Sequence, residues 1–128
     1  MKIYTLLICL ILSSCVTGKI ATKTSIEEIQ FGYGGGFTGE FKTFTLTANC
    51  KLYEKNKELK KVDAKIGLEI FKKAEELKEY IMNEPGNMYS FIEFKTKDKT
   101  NRIVWAYGSI KVDKNVIDLQ NKLLLLTK

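Results

Sequence analysis

The alternation of hydrophobic and polar residues along the chain predicts five β-strands. The clearest example runs over 41–48, where Phe44 and Leu46 share one face and threonines occupy the other. A second alternating stretch places Ile92 and Phe94 on one face. Together with shorter apolar stretches, these patterns predict strands over 26–31, 41–48, 51–55, 88–96 and 102–107.

Two stretches repeat their apolar residues with the period of an α-helix. In the first, Asp63 is placed to cap the N-terminus, and the helix must end before Pro85. In the second, Asp113 takes the capping position. The apolar stripe of the first helix consists of Ile66, Ile70, Ala74, Leu77 and Ile81, and that of the second consists of Val116, Leu119, Leu123 and Leu126.

The order strand–strand–strand–helix–strand–strand–helix predicts the fold class. Because short turns connect successive strands, the sheet should be largely antiparallel. The strands alternate instead of reading as continuous apolar runs, so one face of the sheet should be solvated. We therefore expect an α+β domain in which two helices pack on one face of a largely antiparallel sheet of about five strands. Trp105 is expected to be a core or sheet-face residue rather than a ligand platform.

A mostly apolar run at the N-terminus departs from this pattern. It follows Lys2 and ends at Leu12, which makes it too short to span a bilayer as a mature helix. Leu12-Ser-Ser-Cys15 then resembles the lipobox of bacterial lipoprotein signal peptides. The resemblance implies cleavage between Ser14 and Cys15, a diacylglycerol on the Cys15 thiol and an acyl chain on its amine. We expect a lipoprotein signal peptide over 1–14, a lipidated tether over 15–24 and a single domain over 25–128.

The same resemblance implies a position in the cell envelope. Two or more buried acyl chains hold a protein on a membrane for long periods, whereas one chain is marginal. Val16 follows the cysteine, at the place where an aspartate retains many enterobacterial lipoproteins in the inner membrane. We therefore expect an anchor in the outer membrane, with either leaflet open. A secretory signal with an incidental cysteine and a single transmembrane anchor are the alternatives.

The cysteines and histidines narrow the possible chemistry. Cys9 lies in the signal peptide and Cys15 carries the lipid, so Cys50 has no partner for an intrachain disulfide in the mature protein. The chain contains no histidine, which excludes Ser-His and Cys-His catalysis and most zinc sites. Glu84 and Glu93 could lie close together, but no acid–base pair stands out by its spacing. We expect no enzymatic activity, no metal and no cofactor other than the covalent lipid.

Lysine dominates the charged residues. The full chain has a net charge of +6, and removal of the signal peptide leaves 20 basic and 15 acidic residues. Arg102 is the only arginine, although base readers and phosphate clamps favour the planar guanidinium. Together with the extracytoplasmic position, this bias argues against nucleic acid as a partner. The positive charge favours at most a weak, salt-screened attraction to anionic headgroups.

Five glycines cluster over 32–39. Gly34, Gly36 and Gly39 satisfy G-x-G-x-x-G, but a strand rather than a helix follows, which excludes a nucleotide-binding loop. One interpretation is a wide hairpin loop or bulge, because glycine adopts positive φ readily. The other is a protein-contact loop that lies near the lipid tether and presents aromatic rings. Its candidate contact residues are Tyr33, Gly34, Gly35, Gly36, Phe37 and Thr38.

A family resemblance rests on three segments and the order of elements around them. The segments are Gly35-Gly-Phe-Thr-Gly39, Tyr89-Ser-Phe-Ile-Glu-Phe94 and Arg102-Ile-Val-Trp105. Over 31–126 the chain resembles small lipoproteins of Bacteroidota. It also resembles the emfourin-type inhibitors of protealysin-like metalloproteases, whose opening carries a similar Gly-Gly-Phe-Ala-Gly. The second resemblance implies a protein-binding module that inhibits a protease.

Two functions therefore stay open at the level of the sequence. One is a membrane-anchored, extracytoplasmic protein-binding module, of which a protease inhibitor is one form. The other is a structural or envelope-interaction lipoprotein without catalytic activity. In both, the membrane is contacted through the lipid, and neither nucleic acid nor nucleotide is a partner.

Overall fold

The computed structural model describes residues 24–37 and 39–128. These residues form seven strands and two helices. The predicted signal peptide over 1–14, the lipidation site at Cys15 and the tether up to residue 23 lie outside the described residues, as does Thr38. The elements are β1 (Ile26–Gly35), β2 (Phe41–Thr47), β3 (Lys51–Glu54), β4 (Lys57–Lys61), α1 (Ala64–Leu77), β5 (Asn83–Glu84), β6 (Met88–Thr96), β7 (Thr100–Ala106) and α2 (Lys114–Leu125).

All seven strands belong to one mixed sheet. Their spatial order is β4-β3-β2-β1-β6-β7-β5, and every neighbouring pair is antiparallel except β5 and β7. The α+β class is thus confirmed, but the sheet has seven strands and not about five. The sequence pattern missed β4 because all five of its residues are exposed and no apolar alternation marks it. It missed β5 because that strand has two residues and is defined only by its pairing with β7.

The core lies between one face of the sheet and the two helices. Ile29 and Phe31 of β1 are fully buried there, and the Phe31 ring stacks on the Phe44 ring with 5.5 Å between centroids. Ile92 and Phe94 face the same core, as their alternation predicts, and Trp105 is buried in it. The described residues place no helix on the opposite face, where Arg102 covers the buried Phe91 ring at 4.0 Å.

In helix α1 the predicted N-cap at Asp63 is confirmed, but the buried face differs from the predicted apolar stripe. The Asp63 carboxylate accepts hydrogen bonds from the backbone N–H groups of Lys65 and Ile66. However, the buried residues of the helix are Gly67, Ile70, Phe71 and Ala74, whereas Ile66 is 46% exposed. The helix is rotated because Phe71 buries a larger apolar surface than Ile66 would.

The C-terminal half of the predicted stripe is also corrected. Leu77 is only partly buried, and α1 ends there, so Ile81 lies outside the helix with 86% of its surface exposed. The chain joins the sheet instead, because the Met82 carbonyl accepts a 2.9 Å hydrogen bond from the Val104 N–H and Met82 is buried. Tertiary pairing therefore shortens the helix that periodicity alone would extend.

Helix α2 follows the prediction closely. Asp113 caps it by accepting from the Asn115 N–H at 2.7 Å, and Val116, Leu119 and Leu123 are fully buried. Leu126 lies at the C-cap and is partly buried. The residue that the pattern did not anticipate in the core is Gln120, which is 4% exposed.

The start of the domain is tied to α1. The Glu75 carboxylate accepts hydrogen bonds from the Thr24 hydroxyl and from the N–H and hydroxyl of Ser25. Lys78 pairs with the same carboxylate, and its ammonium holds the pKa of Glu75 below its usual value. These contacts define where the chain from the predicted tether reaches the folded domain.

Candidate protein-contact site

The glycine cluster lies mainly inside the central strand. β1 continues to Gly35, with Gly34 opposite Phe41 on β2 and Gly35 opposite Met88 on β6. The prediction that this strand ends at residue 31 is therefore wrong. Glycines are poor strand formers in isolation, but here β1 is held by a neighbour on each side.

Three of these glycines lie where a Cβ would meet a neighbouring segment, and at Gly32 it would overlap the Lys42 carbonyl. A Cβ at Gly34 would lie 2.5 Å from the Phe41 ring, and Gly34 is buried beneath that ring. Gly35 has φ +91°, and a Cβ there would overlap the Asn87 carbonyl. Gly34 is thus removed from the set of residues that could touch a partner directly.

The turn after β1 is hydrogen-bonded to the segment that precedes β6. The Gly36 N–H donates to the Asn87 carbonyl at 2.8 Å, and the Gly39 N–H donates to the Gly36 carbonyl at 3.2 Å. Gly36 is half-buried, whereas Phe37 at the tip of the turn is fully exposed. Thr38, the last of the predicted contact residues, lies outside the described residues.

Several exposed apolar side chains lie around this turn, with Tyr33 and Phe41 on opposite faces of the sheet. Phe41 starts β2, Met88 starts β6, and the N–H of Tyr107, just past β7, donates to the Met88 carbonyl at 2.8 Å. The strand register therefore brings the ends of four strands together at one end of the sheet. We call the exposed apolar side chains there the sheet-end patch, which consists of Tyr33, Phe37, Phe41, Met88 and Tyr107.

Sequence reasoning found two members of the sheet-end patch, Tyr33 and Phe37. It missed Phe41, Met88 and Tyr107, which are separated along the chain and meet only through strand pairing. The strand predicted over 102–107 includes Tyr107, but β7 ends at Ala106 and leaves Tyr107 77% exposed. An aromatic or methionine at the end of each of several strands is the signal that could have indicated the patch.

The sheet-end patch lies far from Ser25, where the described part of the domain begins. Ser25 precedes β1 and Gly36 follows it, so the ten residues of this strand separate them. At about 3.3 Å per residue, that separation is about 30 Å. The patch and Ser25 therefore lie at opposite ends of the sheet.

A cleft beside the patch is bounded by α2 and the ends of β6 and β7. Its volume is about 440 Å³, and we call it the α2 cleft. Tyr107 belongs both to this cleft and to the sheet-end patch. The cleft is lined by Ser90, Trp105, Tyr107, Gly108, Ser109, Ile117, Gln120, Asn121 and Leu124.

Cys50 has the features of a structural residue. It lies in the turn between β2 and β3 with φ +63°, half-buried against the start of α1. Burial raises the pKa of its thiol, and the nearby Asp63 carboxylate raises it further. Both effects disfavour the thiolate that a nucleophile or metal ligand would need.

The two carboxylates considered for acid–base chemistry have different partners. Glu93 on β6 pairs with Arg102 at 3.3 Å, and Glu84 on β5 lies 3.9 Å from Lys111. Strand β7 separates the two strands that carry them. Among residues 24–37 and 39–128, no group of three or more Cys, Asp or Glu side chains is arranged to hold a metal ion.

Comparison with known proteins does not assign the chain to a family: no family model matches it, and no curated protein matches its sequence. Within the described part of the chain, neither helix is long and apolar enough to cross a bilayer.

Proposed function

We propose that the protein is a lipid-anchored, extracytoplasmic protein-binding module that contacts its partner through the sheet-end patch. The observation that carries this proposal is the concentration of exposed apolar side chains at one end of the sheet, with Phe37 fully exposed at its tip. Exposed apolar side chains concentrated in one region are unfavourable in water, and on soluble domains such regions mark contact sites for other macromolecules.

The composition of the patch favours a protein partner. Four of its five members are aromatic, and aromatic side chains contribute most to hot spots in protein interfaces. The half-buried backbone of Gly35 and Gly36, held by Asn87 and Met88, gives the rings a defined support. A supported patch loses less conformational entropy on binding than a free loop would.

The position of the patch fits a membrane anchor at Cys15. A tether that leaves the domain at Thr24 attaches it by one end, and the patch lies about 30 Å away at the other. An anchored domain would therefore present its apolar end away from the bilayer. This arrangement favours a protein contact over direct insertion of the patch into the anchoring membrane.

A protease is one partner that this proposal includes. The resemblance to emfourin-type inhibitors lies in the segment that forms the tip of the patch, Gly35 to Gly39. Inhibition of a protealysin-like metalloprotease by the domain, weakened by Phe37→Ala, would identify the protein as an inhibitor. Capture of a protein without protease activity would instead favour an envelope-interaction lipoprotein.

The experiment is a capture assay with residues 24–128 as bait on solubilised membranes of the source organism. This segment contains every strand, both helices and all buried core residues, from Ile26 to Leu123. We expect a partner that binds the wild type and is lost with Phe37→Ala or Tyr107→Ala. Ile81→Ala is the matched control, because Ile81 is equally exposed and apolar but lies outside the patch. Equal capture by all four proteins would refute the assignment of the patch.

A further inference from the structure

The α2 cleft contains a buried hydrogen-bond acceptor that lacks a partner. The Gln120 side chain is 4% exposed, and its Nε2 donates to the Gly32 carbonyl at 3.1 Å. Its Oε1 is buried and has no hydrogen-bond partner among the described residues. The orientation of the amide follows from chemistry, because the reverse orientation would place two acceptors against each other.

Most buried polar atoms in folded proteins are hydrogen-bonded, and an unpaired one destabilises the fold. Leucine at position 120 would satisfy the helix stripe without this penalty. The amide is instead retained beside a cleft, where a donor from another molecule could complete it.

The walls of the cleft restrict what that molecule can be. Trp105, Ile117 and Leu124 supply apolar surface, and Ser90, Ser109 and Asn121 supply neutral polar groups. No charged side chain is among the lining residues, and the volume of about 440 Å³ lies within the range of ligand pockets. The walls fit a neutral group that combines an apolar body with one hydrogen-bond donor.

We propose that the α2 cleft takes a tyrosine or tryptophan side chain of the protein that binds the sheet-end patch, whose O–H or N–H donates to Gln120 Oε1. Both side chains join a large apolar ring to a single donor that requires a partner when buried. The proposal rests on the proposed function, and Tyr107 connects the two sites because it belongs to both. Oε1 has almost no exposed surface, so a side chain lining the cleft must move for the donor to reach it.

The test uses p-cresol as the isolated tyrosine side chain and 4-methylanisole as a matched probe that lacks the donor. Trp105 is the only tryptophan in the chain and lines the cleft, so its emission reports binding to residues 24–128 directly. We expect millimolar affinity for p-cresol and about fivefold weaker binding of 4-methylanisole, the factor typical of one net hydrogen bond. Gln120→Met, which keeps the volume and removes the acceptor, should abolish the difference, whereas Asn121→Ala should preserve it.

A second measurement guards against a folding defect in Gln120→Met. In the wild type, p-cresol should shift the side-chain carbonyl carbon of Gln120 downfield, as a new hydrogen bond to Oε1 does, and by more than 4-methylanisole does at equal saturation. Equal binding of the two probes, a preference that survives Gln120→Met, or no binding of either probe would each overturn the proposal. These results do not depend on the capture assay. The probes can therefore refute the role of the cleft while the capture assay supports the role of the patch, and the capture assay can refute the patch while the probes still bind the cleft.

Discussion

Replacing Gly67 by alanine should destabilise the protein, although alanine is the better helix former. Gly67 is buried in α1, and a Cβ there would overlap the Sγ of Cys50, which lies in the turn between β2 and β3. Overpacking of this kind costs about 1–3 kcal/mol. The helix gains at most about 1 kcal/mol from replacing glycine by alanine. We therefore expect a net loss of up to about 2.5 kcal/mol in the free energy of unfolding.

The sign should reverse when the sulfur is removed. In Cys50→Ala, the new Cβ at position 67 would meet only the Cβ of residue 50, at an ordinary contact distance of 3.6 Å. Gly67→Ala should then stabilise the protein by about 0.5–1 kcal/mol, because only the helix propensity remains. The coupling energy between the two sites should be about 1–3 kcal/mol.

Urea unfolding followed by circular dichroism on the wild type, both single variants and the double variant measures this coupling. A domain of this size should unfold in one transition, which makes the four free energies comparable. Stabilisation by Gly67→Ala in both backgrounds would show that α1 does not pack on the Cys50 turn. That result would also remove the structural role assigned to the thiol.

Three further predictions test the core, the start of the domain and the anchor. Ile70→Ala should lower the free energy of unfolding by about 2–5 kcal/mol and Ile66→Ala by clearly less, and equal denaturation midpoints would mean that α1 is oriented wrongly. Because the pKa of Glu75 is lowered in the fold, its contribution is present above its unfolded value near 4.5 and is lost as pH falls through the folded pKa. The stability difference between wild type and Glu75→Gln should therefore vanish in acid, and a difference that is independent of pH would contradict the contacts that Lys78, Ser25 and Thr24 make with the carboxylate. Mass spectrometry should find Cys15 acylated and Cys15→Ala should release the protein from membranes or leave its precursor uncleaved, whereas an unmodified mature Cys15 would end the lipoprotein prediction.

The elements with a strong local signal could be predicted from the sequence. Asp63 and Asp113 are helix caps because a carboxylate placed before an apolar stripe accepts from the first free N–H groups of a helix, and this requires no distant contact. The alternation that pairs Ile92 with Phe94 likewise follows from the geometry of a single strand. The end of α1 could not be predicted in the same way, because Met82 leaves the helix to pair with β7.

Only those residues of the candidate site that lie close together in the sequence could be predicted. Tyr33 and Phe37 flank the glycine cluster, so their association with it is visible along the chain. Phe41, Met88 and Tyr107 join them only through the register of β2, β6 and β7 with their neighbours. Gln120 gave no signal at all, since a glutamine within an amphipathic helix is expected on the solvated face.

The sequence by itself determined the α+β class, the two capped helices and the exclusion of histidine-dependent chemistry, because composition, capping and periodicity are properties of local segments. Only the tertiary structure decided that the glycines extend the central strand, that α1 turns Phe71 inward, and that the apolar patch lies at the opposite end of the sheet from Ser25. Strand register and helix rotation are set by burial summed over contacts between distant parts of the chain, and no local pattern contains that sum.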